Sequence, residues 1–198
     1  MHDSKCPIAA ALALMMGLGS MACSQQSQGS NAATDGLSPD QRVILQKAGM
    51  PVAVPMPIPP GFEPVNVSVL TDNPDDPFSG GYVIVYRQVE AAPGAQACFE
   101  VEGAKGGFGG PSPEFQMAAN LPTFAQSLAD AEDYVYQMFW SDGEGEMGPF
   151  PSPILFSDWI QADQGYYRVA SLTANEPDCA RLDPETANQI LGSLEYID

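Results

Sequence analysis

Gly81-Tyr82-Val83-Ile84-Val85-Tyr86-Arg87-Gln88-Val89-Glu90 decides the fold. Its β-branched and aromatic residues fit a pleated, half-buried surface, so it reads as a strand. Ala92-Pro93-Gly94 behind it is a turn signal, and residues 97–102 (ACFEVE) return antiparallel. Ahead of it, residues 65–70 (VNVSVL) alternate and form another strand. Tyr134 to Trp140 is a further strand, with Tyr134, Tyr136, Met138 and Trp140 on one face and Val135 and Phe139 on the other. Residues 154–160 and 165–172 make a hairpin around Asp163-Gln164-Gly165, where Gly165 supplies a positive φ. A C-terminal helix closes the chain. Asp183 caps it, Pro184 takes its first position, and Ala187, Ile190, Leu191 and Leu194 form an apolar stripe that should lie on the sheet. The expected fold is α+β: a mainly antiparallel sheet of about five to six strands with a C-terminal helix packed on it. It forms a single domain over 62–198, and roughly 140 residues is enough for one sizeable core.

Residues 37–61 precede that domain as a short helix and a Pro-rich connector. Ser38-Pro39-Asp40-Gln41 has the pattern of a capping box with proline at the first helical position. Val43, Ile44, Lys47 and Ala48 give the helix a narrow apolar face, and Gly49 stops it. From Pro51 to Gly61 the prolines at 51, 55, 57, 59 and 60 forbid a helix, leaving an extended connector or an edge strand. A polyproline ligand for a partner's groove is the functional alternative.

The N-terminus has the layout of an export signal over residues 1–22. Lys5 precedes an apolar run from Ile8 to Gly19, and Ser20-Met21-Ala22 places small residues at the first and third positions before a cut. The run is too short to span a bilayer, which needs roughly 20 residues. Ser20-Met21-Ala22-Cys23 resembles the lipobox of bacterial lipoproteins, with Ser20 where leucine is usual. The resemblance covers only this segment. It implies that Cys23 receives a thioether-linked lipid and becomes the mature N-terminus. Residues 23–36, rich in Ser, Gln, Asn and Gly, would then be a lipidated flexible tether, spanning on the order of 20 Å as a coil. Cysteine usage agrees. Cys6 leaves with the signal, lipidation consumes Cys23, and Cys98 and Cys179 remain as a pair suited to an oxidising compartment. Two separate thiols and a redox pair are the alternatives, and no Cys-x-x-Cys supports the latter.

Cleavage removes Lys5 and Asp3 together, so the net charge stays at −18. That balance excludes nucleic acid as a partner and disfavours lying on an anionic membrane surface. The only histidine, His2, leaves with the signal, which removes Ser-His and Cys-His nucleophiles and histidine metal ligands. Carboxylate pairs could still hydrolyse glycosides if burial split their pKa values, but a chain this acidic offers many chance pairs. Catalytic residues and cofactors are therefore expected to be none.

Two acidic stretches are weak calcium candidates. Asp142-Gly143-Glu144-Gly145-Glu146 opens like an EF-hand loop through Asp142, Glu144 and Glu146, then has Met147 where that loop needs Gly and Pro153 where it needs Glu. Asp72-Asn73-Pro74-Asp75-Asp76 is a turn-rich run. Solvated turns account for both. The Gly-rich stretch Gly103 to Pro111 places Lys105 before its glycine pair, so it is a loop rather than a phosphate cradle. Trp140, Trp159, Tyr166 and Tyr167 read as cross-strand packing, with a sugar or peptide platform as the alternative. The expected function is a lipid-anchored acidic cell-envelope protein, facing periplasm or exterior, with a non-catalytic accessory or protein-interaction role. Its partners are the membrane, through the lipid, and an envelope protein. The alternative is a tethered small-ligand or calcium-binding domain.

Overall fold

A computed structural model describes residues 35–70, 80–89, 91, 96–106, 113–127, 134–142, 146–147, 150–151, 153–172 and 179–197. Helix α1 (Pro39–Leu45) starts where the sequence places it. The Ser38 hydroxyl accepts the Gln41 N–H at 3.2 Å, and the Gln41 side chain accepts the Ser38 N–H at 2.8 Å, completing the capping box. The face it buries is only partly the expected one. Leu45 and Ala48 are buried while Val43 and Ile44 are exposed.

The strands are β1 (Val52–Pro55), β2 (Phe62–Leu70), β3 (Gly81–Gln88), β4 (Ala97–Ala104), β5 (Phe115–Ala118), β6 (Gln137–Ser141), β7 (Glu146–Met147), β8 (Phe150–Pro151), β9 (Ile154–Ser157), β10 (Ile160–Ala162), β11 (Gly165–Leu172), β12 (Ala180–Arg181) and β13 (Leu194–Ile197). A 3-10 turn occupies Thr123–Ala125, and helix α2 spans Pro184–Gly192. The large sheet has nine strands rather than five or six. Its order is β2-β3-β4-β11-β9-β6-β5, with β10 on β11 and β12 on β4. Every pair is antiparallel except β12 with β4. β7 and β8 form a separate hairpin.

The expected strand over 154–160 is split. β9 and β10 both lie along β11, and between them Ser157 Oγ accepts the Val169 N–H at 3.2 Å where the ladder breaks. The expected strand over 134–140 begins only at Gln137, because the Asp158 carboxylate takes the Gln137 N–H at 2.8 Å and holds Tyr134 outside the sheet.

Helix α2 has its Asp183 cap bonded to the Thr186 N–H at 2.9 Å and stops at Gly192. Leu194 therefore does not belong to its stripe. It opens β13, which pairs with β1 in register Val52↔Ile197 to Pro55↔Leu194. The stretch expected as an extended connector or an edge strand thus supplies a paired strand, and Val52, Ala53 and Val54 are buried in the core. This ribbon and α2 cover one face of the large sheet, over Tyr82, Ile84, Tyr86, Phe99, Val101, Tyr167 and Val169. Among the described residues no helix is long and apolar enough to cross a membrane.

Candidate functional site

Cys98 and Cys179 form a disulfide across 81 residues, with Cα atoms 5.5 Å apart. Cys98 lies in β4 and Cys179 just before β12, so the bridge ties the approach to α2 onto the sheet. Ser171 reinforces it, donating to the Cys98 carbonyl at 2.7 Å and accepting the Leu182 N–H at 3.2 Å. Reduction would leave those hydrogen bonds and the β12–β4 pairing to hold the junction.

The strand registers define the sheet face opposite α2. One row runs Val83, Glu102, Arg168, and the next runs Val85, Glu100, Ala170, Phe156, Phe139. Arg87 and Arg168 stand diagonal to Glu100, which is only 4% exposed. The Arg168 guanidinium lies 2.9 Å from the Glu102 carboxylate and 4.4 Å above the Trp159 ring. Arg181 pairs with Asp142. Phe139 and Phe156 pack at 5.5 Å beside Ile154 and Ala170. Arginine is suited to this role because its flat group stacks on indole while its fork meets a carboxylate. The cluster neutralises its own charges, so what it offers chemically is rigidity.

The sequence candidates scatter. Cys23, Glu144 and the run Asp72 to Asp76 lie outside the described residues, as does the side chain of Glu146. Asp142 spends its carboxylate on Arg181. No three His, Cys, Asp or Glu side chains converge to hold a metal ion among the described residues. The Gly-rich stretch begins inside β4. A Cβ on Gly103 would stand 2.3 Å from the Tyr82 ring, so that glycine is there to let the ring lie flat on the strand; residues 107–111 lie outside the described set. The aromatic set does not assemble into one platform. Trp140 stacks on Phe115 at 5.7 Å, Trp159 faces Arg168, and Tyr167 is buried under the β1–β13 ribbon.

Sequence reasoning missed the polar device that seats this ribbon. Met56 N–H bonds the Ser193 carbonyl at 2.9 Å, so alternation turns the N–H and C=O of Ala53 away from β13. Both end on one side chain: the Tyr82 hydroxyl accepts the N–H at 2.7 Å and donates to the C=O at 3.2 Å. The Tyr167 hydroxyl donates to the Pro51 carbonyl at 3.1 Å. Burial pushes the Tyr82, Tyr86 and Tyr167 phenols far above their ordinary pKa. The signal was present in GYVIVYRQ, whose two tyrosines share one face of a buried strand and need partners.

Most of the exposed large apolar side chains among the described residues sit at the margins of the fold, Val89 after β3 and Tyr196 on β13 apart. Val43 and Ile44 lie on α1, Val65 and Leu70 on β2, Phe115 on β5, and Tyr134 and Val135 ahead of β6. β2 and β5 are the two edges of the large sheet. At β5, Asn188 closes part of the edge by donating to the Ala118 carbonyl at 3.0 Å and accepting the Asn120 N–H at 2.6 Å. No known family model, curated protein or solved structure matches this chain.

Proposed function

We propose that this chain is a lipid-anchored acidic protein of the bacterial cell envelope with a non-catalytic accessory or protein-interaction role. The Cys98–Cys179 bridge is the observation that carries the reading. Disulfides persist in oxidising compartments, and pairing these two leaves Cys23 as the cysteine available for a lipid once Cys6 departs with the signal. The side chains with the strongest chemistry are engaged in holding the fold together: Arg42 with Asp35, Arg168 with Glu102, Arg181 with Asp142, and Tyr82 with Ala53. What the surface offers instead is apolar margin and acidic charge, which suit recognition.

Intact mass of membrane-extracted protein tests the anchor. The expected species begins at Cys23 and carries acyl groups, and an unmodified Cys23 sinks the reading. In-cell crosslinking and mass spectrometry then compare the natural chain with Cys23→Ser. A discrete envelope partner recovered only with the anchor intact is the expected result. Absence of a partner from both forms refutes an interaction role.

A further inference from the structure

Two hydrogen bonds fix the orientation of the outermost strand of the large sheet. Val89 N–H bonds the Gly61 carbonyl at 2.9 Å, and Lys105 N–H bonds the Gly80 carbonyl at 3.3 Å. Antiparallel alternation then turns the backbone groups of Glu63, Ser68 and Leu70 toward β3. The irregularity between Pro64 and Asn66 resets the phase, so Pro64, Val67 and Val69 face away from the sheet. Pro64 has no N–H, and its carbonyl accepts Gln41 Nε2 at 3.1 Å. On that outer side, Val67 and Val69 meet no partner among the described residues.

Among the described residues no strand pairs with this half of the edge. Val65 is 43% and Leu70 49% exposed, and Asn66 and Ser68 between them are exposed as well. Natural edges are guarded by lysine, proline, inward charges or a covering element. Val65-Asn66-Val67-Ser68-Val69-Leu70 contains none of these residues, and α1 is hydrogen-bonded to the strand at Pro64, ahead of this run. A six-residue row of high β-propensity with outward N–H and C=O groups is a template for another strand.

We propose that this edge is a docking site for an extended, cationic segment of an envelope partner, which adds to the sheet as a further strand beside β2. The inference rests on the interaction role argued above and names its surface. Charge selects the occupant. The chain carries −18, and Arg42, Arg168 and Arg181 are tied to carboxylates within the fold. That field attracts a basic segment and repels a second copy of the chain. The incoming strand would alternate: apolar residues beside Val67 and Val69, whose side chains pack on the core, and polar or basic residues beside Asn66 and Ser68.

The test uses the full chain and a short capped peptide of alternating lysine and valine, with a fully N-methylated copy that keeps the charge and loses every backbone donor. Fluorescence anisotropy should give saturable binding for the first and about tenfold or weaker binding for the second. Amide exchange at Val67 and Val69 should slow by about tenfold or more in the complex. Val67→Pro, which removes a donor that the sheet itself does not use, should weaken binding similarly with an unchanged far-UV spectrum. Equal binding of both peptides, no binding, or protection elsewhere would overturn the proposal. So would protection of Val67 and Val69 through self-association without peptide, since the occupant would then be a second copy. In-cell crosslinks that place a partner away from residues 65–70 sink this inference and leave the interaction role standing, whereas finding no partner at all sinks both.

Discussion

Tyr82→Phe removes one oxygen atom and leaves the packing intact. In the folded chain that oxygen is the only partner of two buried backbone groups, the N–H and C=O of Ala53, among the described residues. Both residues are fully buried, which keeps bulk water from substituting freely. Each buried polar group left unsatisfied costs about 1–3 kcal/mol, and local relaxation recovers part, so the expected loss is about 2–4 kcal/mol. That is a large fraction of the roughly 5–15 kcal/mol holding a typical domain together. For a domain of this size the melting temperature falls about 2–4 °C per kcal/mol, giving a drop of about 5–15 °C. Urea unfolding of the oxidised protein, followed by far-UV circular dichroism, should show a lower midpoint with an unchanged slope. Tyr86→Phe is the matched control. The Tyr86 hydroxyl is also buried but finds no hydrogen-bond partner among the described residues, so deleting it should be neutral or stabilising. A loss below about 0.5 kcal/mol in Tyr82→Phe, or equal losses in the two variants, would refute the hydroxyl's role in seating β1.

Three further outcomes follow from the same contacts. Cys98→Ser or Cys179→Ser should lower stability by about 4–5 kcal/mol for a loop of this length, and the difference should vanish when the natural chain is unfolded in reductant. Raising the pH should unfold the protein: with folded pKa values above the unfolded one, Tyr82, Tyr86 and Tyr167 contribute stability that is complete below about pH 10 and is lost above it at about 1.4 kcal/mol per pH unit each. Absorbance at 295 nm would then show these phenols ionising together with the loss of circular dichroism, and their ionisation in a still-folded chain would contradict their burial. Gly103→Ala should cost about 1–3 kcal/mol by lifting the Tyr82 ring, and less when introduced into Tyr82→Phe, where the hydroxyl contact is already gone.

Local signals carried the sequence reading a long way. The Ser38–Gln41 capping box, the β3–β4 pairing and the Asp183-Pro184 start of α2 each depend on residues close in sequence, and each is formed. What was illegible depends on distant partners. Val52–Pro55 was legible as extended, with a strand as one of its two readings, but its pairing with Leu194–Ile197 was not. The α1 face was misplaced at Val43 and Ile44 because they are as apolar as Leu45, and only the docking geometry chooses between them. ACFEVE was legible as a strand that returns antiparallel, but the surroundings of its carboxylates were not. Glu100 is buried, and periodicity cannot distinguish a carboxylate in water from one set among arginines on neighbouring strands. Of the site residues, the disulfide pair was legible through cysteine arithmetic, whereas the open half of β2 was not, since an edge is a property of sheet order.

Those arginines also explain how the charge is distributed. A chain with so few cations could have spread them over the surface to dilute its acidity. Instead Arg168 and Arg181 lie across the face of the large sheet with their carboxylates, and Arg42 secures the start of the body through Asp35. Asp35 itself is buried, and its second oxygen accepts the Leu37 N–H at 3.1 Å, so the point where the body begins is fixed by an ion pair and a turn. The positive charge is consumed in construction, and the field presented outward is almost wholly negative. Such a body is repelled by anionic lipid and by its own copies. On the function proposed above, a lipid at Cys23 would keep it near a membrane without requiring surface contact, and a partner would bring the cations it lacks. The open, uncharged strand at Val65–Leu70 is where the backbone permits that approach.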